Sequence, residues 1–126
     1  MNEQRKRNGI SKHLASYRYA LNGIWLAFRY ENNMRYHLVA GVGVLLVNYV
    51  LQVSHIEWVI TLMLIGLAWM AEIFNTAIEK LSDRVTQDHD VLIGKVKDLA
   101  AGAVLVIGII AVISALIIYL PYLVEL

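Results

Sequence analysis

The sequence has no cysteine and a single proline, Pro121, in 126 residues. The lack of cysteine excludes disulfides and thiolate-held metals and leaves no redox compartment to read. No G-x-x-x-x-G-K-[ST] loop occurs, and no G-x-G-x-x-G follows a strand, so neither a P-loop nor a dinucleotide fold is indicated. No histidine pair has the spacing of a zinc site. Internal repeats and low-complexity segments are also missing. The basic start is not followed by a short apolar core with a small-residue cleavage site, so no removable signal peptide is expected. Lysine and arginine are absent between Arg35 and Lys80 and again after Lys97. A formal net charge of +1 says little about partners, and no nucleic-acid partner is expected.

What is present is apolar: 59% of the residues are hydrophobic, which points to one membrane domain rather than a soluble core. After a basic tail over 1–11, expected to be flexible, Leu14, Tyr17, Leu21, Ile24 and Phe28 recur at helical spacing over 12–30. Arg18, Asn22 and Arg29 lie off that stripe, which predicts an amphipathic surface helix. Its other reading is a soluble-type helix packed on protein. Spanning helices are expected over 37–53, 56–81 and 98–120, with Pro121 opposing continuation. The polar stretch 31–37 reads as a linker, 52–57 as a short turn and 82–96 as a polar loop. Gly41 and Gly43 suit close helix approach. Every Lys and Arg falls in the N-terminal region or in the stretch from Lys80 to Lys97, which puts both on the cytoplasmic side of the membrane. The C-terminus is then outside.

The residues from Ala71 to Asp83 end the second span. On a helix, Glu72, Glu79 and Asp83 fall within roughly 40° of one another, with Asn75 about 60° away. Glu72 sits near a membrane boundary, and Glu79 reaches water. A carboxylate near a bilayer centre costs about 3 kcal/mol, so such residues rarely persist without a partner or a task. A helix–helix polar clamp with no chemistry is the competing reading.

Several polar groups converge on that boundary: Lys12 and Tyr19 on the surface helix, Glu31 at its end, the Glu72–Asn75–Glu79 face, and Lys97-Asp98 opening the third span. Carboxylates beside water suit Mg²⁺, which bridges to phosphate oxygens. A lysine at a helix N-terminus suits an anion. Together these are the parts of a phosphoryl transfer. Glu72, the deepest carboxylate, would meet a hydroxyl from the lipid side and accept its proton. Lys97 reads equally as a snorkelling interface anchor, Glu31 as a solvated helix-end charge and His89 as a surface loop residue. His13 and His55 carry no assignment.

Two motifs, Glu72-Ile73-Phe74-Asn75-Thr76-Ala77-Ile78-Glu79 followed by Asp83, and Lys97-Asp98-Leu99-Ala100-Ala101-Gly102-Ala103-Val104-Leu105, resemble the small bacterial membrane lipid kinases. That family comprises diacylglycerol kinase and undecaprenol kinase, and the resemblance extends from Lys12 onward. It implies an all-α integral membrane protein, a surface helix plus three transmembrane helices, assembled as a homotrimer with sites between protomers. By the resemblance Glu72 is the proton acceptor, and Glu31 and Glu79 hold the metal and ATP. Lys12, Tyr19, Gln87, Asp88, His89, Lys97 and Asp98 contact the nucleotide. The lipid is expected at Glu72, Asn75, Arg35 and Ala101. Lys12 stands where the enterobacterial form has arginine, keeping the charge but not the guanidinium fork.

The E-x-N-x-x-x-H run from Glu31 through Asn33 to His37 looks like that of Gram-positive undecaprenol kinases, where the enterobacterial enzyme carries a carboxylate in place of His37. The expectation is therefore a kinase that moves the γ-phosphoryl of Mg-ATP to undecaprenol. Diacylglycerol is the alternative acceptor. From other classes, an oligomeric proton or ion pathway with Glu72 as relay needs no Glu79, Lys97 or Asp98 at the water boundary, and a membrane adaptor turns over no ATP.

Overall fold

The computed structural model describes the backbone from Asn2 and the side chains from Gly9 onward, so the side chains of Arg5, Lys6 and Arg7 in the basic tail lie outside the described residues. Four helices follow in order: α1 (Asn2–Tyr30), α2 (Asn32–Leu51), α3 (His55–Val85) and α4 (Val91–Val124). They fall into two compact units, Met1–Asn32 and Asn33–Leu126.

The first unit is α1. Its backbone is helical from Asn2, ahead of the start at Lys12 that the apolar spacing predicts. Glu3, Gln4, Arg5, Lys6 and Arg7 all have good intrinsic helix propensity, which apolar periodicity cannot register. Leu14, Tyr17, Leu21 and Ile24, the expected stripe, are exposed. At the other end Trp25 meets the ring of Tyr30 edge to face, with centroids 6.0 Å apart.

The second unit holds three helices long and apolar enough to cross a membrane. Each is longer than its hydrophobic run. Instead of the expected linker over 31–37, Glu31 alone separates α1 from α2. Polar residues at helix ends outside the hydrocarbon remain helical because their backbone bonds are local. For the same reason the loop expected over 82–96 shrinks to 86–90. α4 also runs past Pro121 to Val124. Proline removes its own N–H, but Tyr122 and its successors still donate to the preceding turn.

The α2–α3 turn has a definite construction. Gln52 takes φ 53°, Val53 N–H donates to Asn48 C=O at 3.2 Å, and Gln52 N–H donates to Tyr49 C=O at 3.4 Å. This is a Schellman end with a non-glycine residue in the left-handed position. Ser54 then caps α3 reciprocally: Glu57 N–H donates to Ser54 Oγ at 3.3 Å, and Ser54 N–H donates to Glu57 Oε2 at 2.8 Å. The S-x-x-E signature of this capping box stands in the sequence at Ser54 and Glu57.

α2 and α3 close on each other at Gly41, where a Cβ would stand 3.3 Å from Ile65 Cγ2. The expectation of close approach holds for Gly41, whereas a Cβ on Gly43 would meet open space. Polar groups then fasten the bundle at the end away from Glu72. Asn48, fully buried, donates to Thr61 Oγ1 at 2.7 Å and accepts from the Tyr119 hydroxyl at 2.5 Å, joining all three helices. Tyr122 of α4 donates to Glu57 of α3 at 2.5 Å.

Candidate active site

Glu72 lies on α3 and is only 3% exposed. Two side chains of α2, one turn apart, address its carboxylate. Asn33 Nδ2 donates to Oε1 at 3.2 Å, and His37 Nε2 stands 3.8 Å from Oε2. Asn33 and His37 are spaced i, i+4, so one helix face presents both. The backbone carbonyl of His37 accepts from Trp69 Nε1 at 3.4 Å, which ties this stretch of α2 to α3.

One turn further along α3, Asn75 and Thr76 are buried. Among the described residues Asn75 Oδ1 is an enclosed acceptor with no hydrogen-bond partner. Buried amide oxygens nearly always find a donor, so one is owed here by a substrate hydroxyl, a water or another chain. Glu72 and Asn75 therefore form a polar recess at the end of an otherwise apolar helix.

Beyond that recess the groups open to water. Glu79 is exposed on the next turns of α3. Asp83 accepts from Lys97 Nζ at 2.5 Å, with the two side chains 60% and 39% exposed. Lys97 does not open its helix as expected. α4 begins at Val91, and its cap is Asp90, whose Oδ1 accepts from Ile93 N–H at 3.0 Å. Lys97 and Asp98 thus sit about two turns inside α4, where backbone N–H groups are already used. The lysine acts as a charge on a side chain, without help from a helix terminus.

Gln87, Asp88 and His89 are exposed in the loop, which is shaped by Asp88 N–H donating to Thr86 Oγ1 at 3.1 Å. Ala101, Asp98 and Arg35 are exposed. Lys12, Tyr19 and Glu31 belong to the first unit: Lys12 and Tyr19 are exposed, and Glu31 is half-buried. Lys12 C=O also accepts from Ser16 Oγ at 3.1 Å.

Among the described residues no three carboxylate or imidazole groups gather closely enough to hold an ion. A divalent ion carried in with a nucleotide would take one or two protein carboxylates and complete its shell with phosphate and water. An exposed carboxylate such as Glu79 fits that donor set.

The reading of the sequence did not pick out Asn48, Thr61, Tyr119 or the Glu57–Tyr122 pair. The signal was available, since a lone amide inside an apolar run has to find a partner in a bilayer.

The profile of the family described as Prokaryotic diacylglycerol kinase matches residues 18–119. The chain belongs to that family. Among similar proteins is Undecaprenol kinase of Bacillus subtilis (strain 168), 39% identical over 121 residues, which covers 96% of this chain and 98% of the relative. Diacylglycerol kinase of Synechocystis sp. is 37% identical over 114 residues, covering 90% of this chain and 65% of that protein. Diacylglycerol kinase of Escherichia coli (strain K12) is 30% identical over 106 residues, covering 84% and 87%. This member of the prokaryotic diacylglycerol kinase family is a membrane-bound lipid kinase, and its family implies ATP with a divalent metal. The matched span includes Glu72, Glu79 and Lys97, so the recess and its water-facing rim both lie within the shared region.

Proposed function

We propose that this lipid kinase phosphorylates undecaprenol to undecaprenyl phosphate, with Glu72 as the proton acceptor. The observation that carries the reading is the Glu72 recess: a buried carboxylate beside an unpartnered Asn75 oxygen, at the polar end of a membrane-spanning helix. A long-chain alcohol keeps its tail in the bilayer and presents one hydroxyl at that depth. Glu72 takes the hydroxyl proton while the alcohol oxygen bonds to the γ-phosphorus. The bond from that phosphorus to the β–γ bridging oxygen breaks, and ADP leaves. Proton acceptance at a positioned carboxylate is worth about 10²–10⁴-fold in rate.

Asn33 holds Glu72 Oε1, which leaves Oε2 toward the reacting group and His37. Lys97 is held within reach of the α3 face by Asp83 and offers positive charge to phosphate oxygens. Glu79 and Glu31 would supply the carboxylate oxygens to Mg²⁺, which when bound neutralises the β- and γ-phosphate charge. Lys12, Tyr19, Gln87, Asp88, His89 and Asp98 complete the nucleotide contacts in this reading, and Arg35 and Ala101 complete the lipid side.

The preference for undecaprenol is supported by the similarity to the Bacillus subtilis protein along nearly its whole length. Diacylglycerol is the second acceptor, supported by the family description and by the Synechocystis and Escherichia coli relatives. The family resemblance supports a homotrimer with sites between protomers, and the unpartnered Asn75 oxygen supports a further polar group beside it. The distribution of Lys and Arg supports a cytoplasmic N-terminus and an external C-terminus.

The test is phosphate transfer by purified protein in mixed micelles, with undecaprenol and diacylglycerol side by side and ATP as donor. Greater kcat/KM for undecaprenol is expected. A preference for diacylglycerol overturns the substrate assignment, and no transfer to either lipid overturns the reading itself.

A further inference from the structure

We infer that His37 carries away the proton that Glu72 takes from the substrate alcohol, and so resets the site for each turnover. This rests on the proposed role of Glu72 as proton acceptor. Transfer of a phosphoryl group from ATP to an alcohol releases one proton, and that proton has to leave the recess before the next alcohol can react. Glu72 is poorly placed to release it alone, because its side chain is 4% exposed. Asn33 gives no exit either, since an amide nitrogen donates hydrogen bonds and has no site to accept a proton.

His37 has what is missing. Its Nε2 stands 3.8 Å from Glu72 Oε2, and its side chain is 28% exposed, so one imidazole touches both the recess and the surroundings. Closing to hydrogen-bond distance takes roughly 0.6 Å of ring movement. The ring is not packed in on every side, because His37 also lines a cavity of about 170 Å³ between α2, α3 and α4. The backbone does not have to move, since the His37 carbonyl is bonded to Trp69 Nε1. An imidazole ring carries two nitrogens, one donating and one accepting when neutral, so it can take a proton on one side and give one up on the other.

The step balances without further reagents. Protonated Glu72 gives its hydrogen to neutral Nε2, the carboxylate is regenerated, and the imidazolium passes a proton to water or buffer. His37 touches neither phosphate nor nucleotide in this scheme. It acts through Glu72, as a positioning residue for the proton.

The experiment compares wild type, His37→Gln and His37→Ala in the lipid phosphorylation assay, with and without added imidazole. His37→Gln preserves polarity and approximate size but cannot cycle a proton. A kcat lower by about 10–100-fold is expected, with KM for ATP and for lipid within about threefold of wild type. His37→Ala leaves a space beside Glu72, and millimolar imidazole should restore its kcat several-fold while leaving wild type unchanged. Packing damage would not respond to imidazole. A His37→Gln enzyme within about twofold of wild type, or a His37→Ala loss that imidazole does not recover, overturns the relay and leaves the kinase reading intact. Wild-type protein that transfers phosphate to neither lipid overturns both.

Discussion

Asn33 reaches from α2 to donate to Glu72 Oε1 on α3 at 3.2 Å, so the buried carboxylate is oriented by a neutral donor. The Asn33 amide orients the carboxylate without forming an ion pair with it. Substituting Glu72→Gln preserves the Asn33 contact, because the glutamine carbonyl accepts the same bond. The variant should fold and bind ATP normally, while kcat falls by about 10²–10⁴-fold. Steady-state kinetics with a separate ATP-binding measurement decide it. Activity within tenfold of wild type would move the base elsewhere.

Lys97 and Asp83 form a partly exposed pair, and pairs of that kind contribute about 0–1 kcal/mol to stability. Lys97→Met should therefore leave the unfolding midpoint nearly unchanged in detergent, yet raise KM for ATP by tenfold or more. A large loss of stability with normal ATP use would make the pair structural.

Magnesium dependence probes the acidic rim. Glu79→Gln and Glu31→Gln should each shift the Mg²⁺ activation curve to higher concentration, because each removes a charged oxygen from one ion. Titration of initial rate against Mg²⁺ at fixed ATP checks this, and unchanged curves in both variants would assign the ion to other ligands.

Asn48 is predicted to matter for stability and little for catalysis. It is fully buried and satisfies groups on two other helices. Polar contacts within membranes average about 0.6 kcal/mol, but deletion of a shared, enclosed amide leaves two partners exposed to the loss. Asn48→Ala should cost about 1–2 kcal/mol in reversible unfolding while kcat stays within threefold of wild type.

The unpartnered Asn75 oxygen bears on the lipid side of the site, and the family resemblance bears on assembly. A trimer is expected by mass measurement in mild detergent, and Asn75→Ala should leave activity low with the mass unchanged. A fully active monomer would refute the shared site.

The three spans and the Glu72 face were legible because hydropathy and helical spacing are local properties. Helix ends were not, because polar residues such as those around Lys97 continue a helix without any apolar pattern. The α2 stripe of Asn33, His37, Gly41, Val44 and Asn48 was harder still. It keeps a regular helical spacing, but it mixes amides, a ring, a glycine and one aliphatic, so hydrophobic periodicity passes over it. His37 drew notice only as part of a motif. Its approach to Glu72 depends on how two helices pack, which no spacing along one helix contains.

Gly41 lies midway between Asn33 and Asn48, with Ile65 against the place a methyl group would occupy. It is the fulcrum of the α2–α3 pair. One arm ends at the Glu72 recess and the other at the Asn48 clamp. A single methyl added at this point, on the helix that carries both Asn33 and Asn48, would ask Ile65 to give by a few tenths of an ångström.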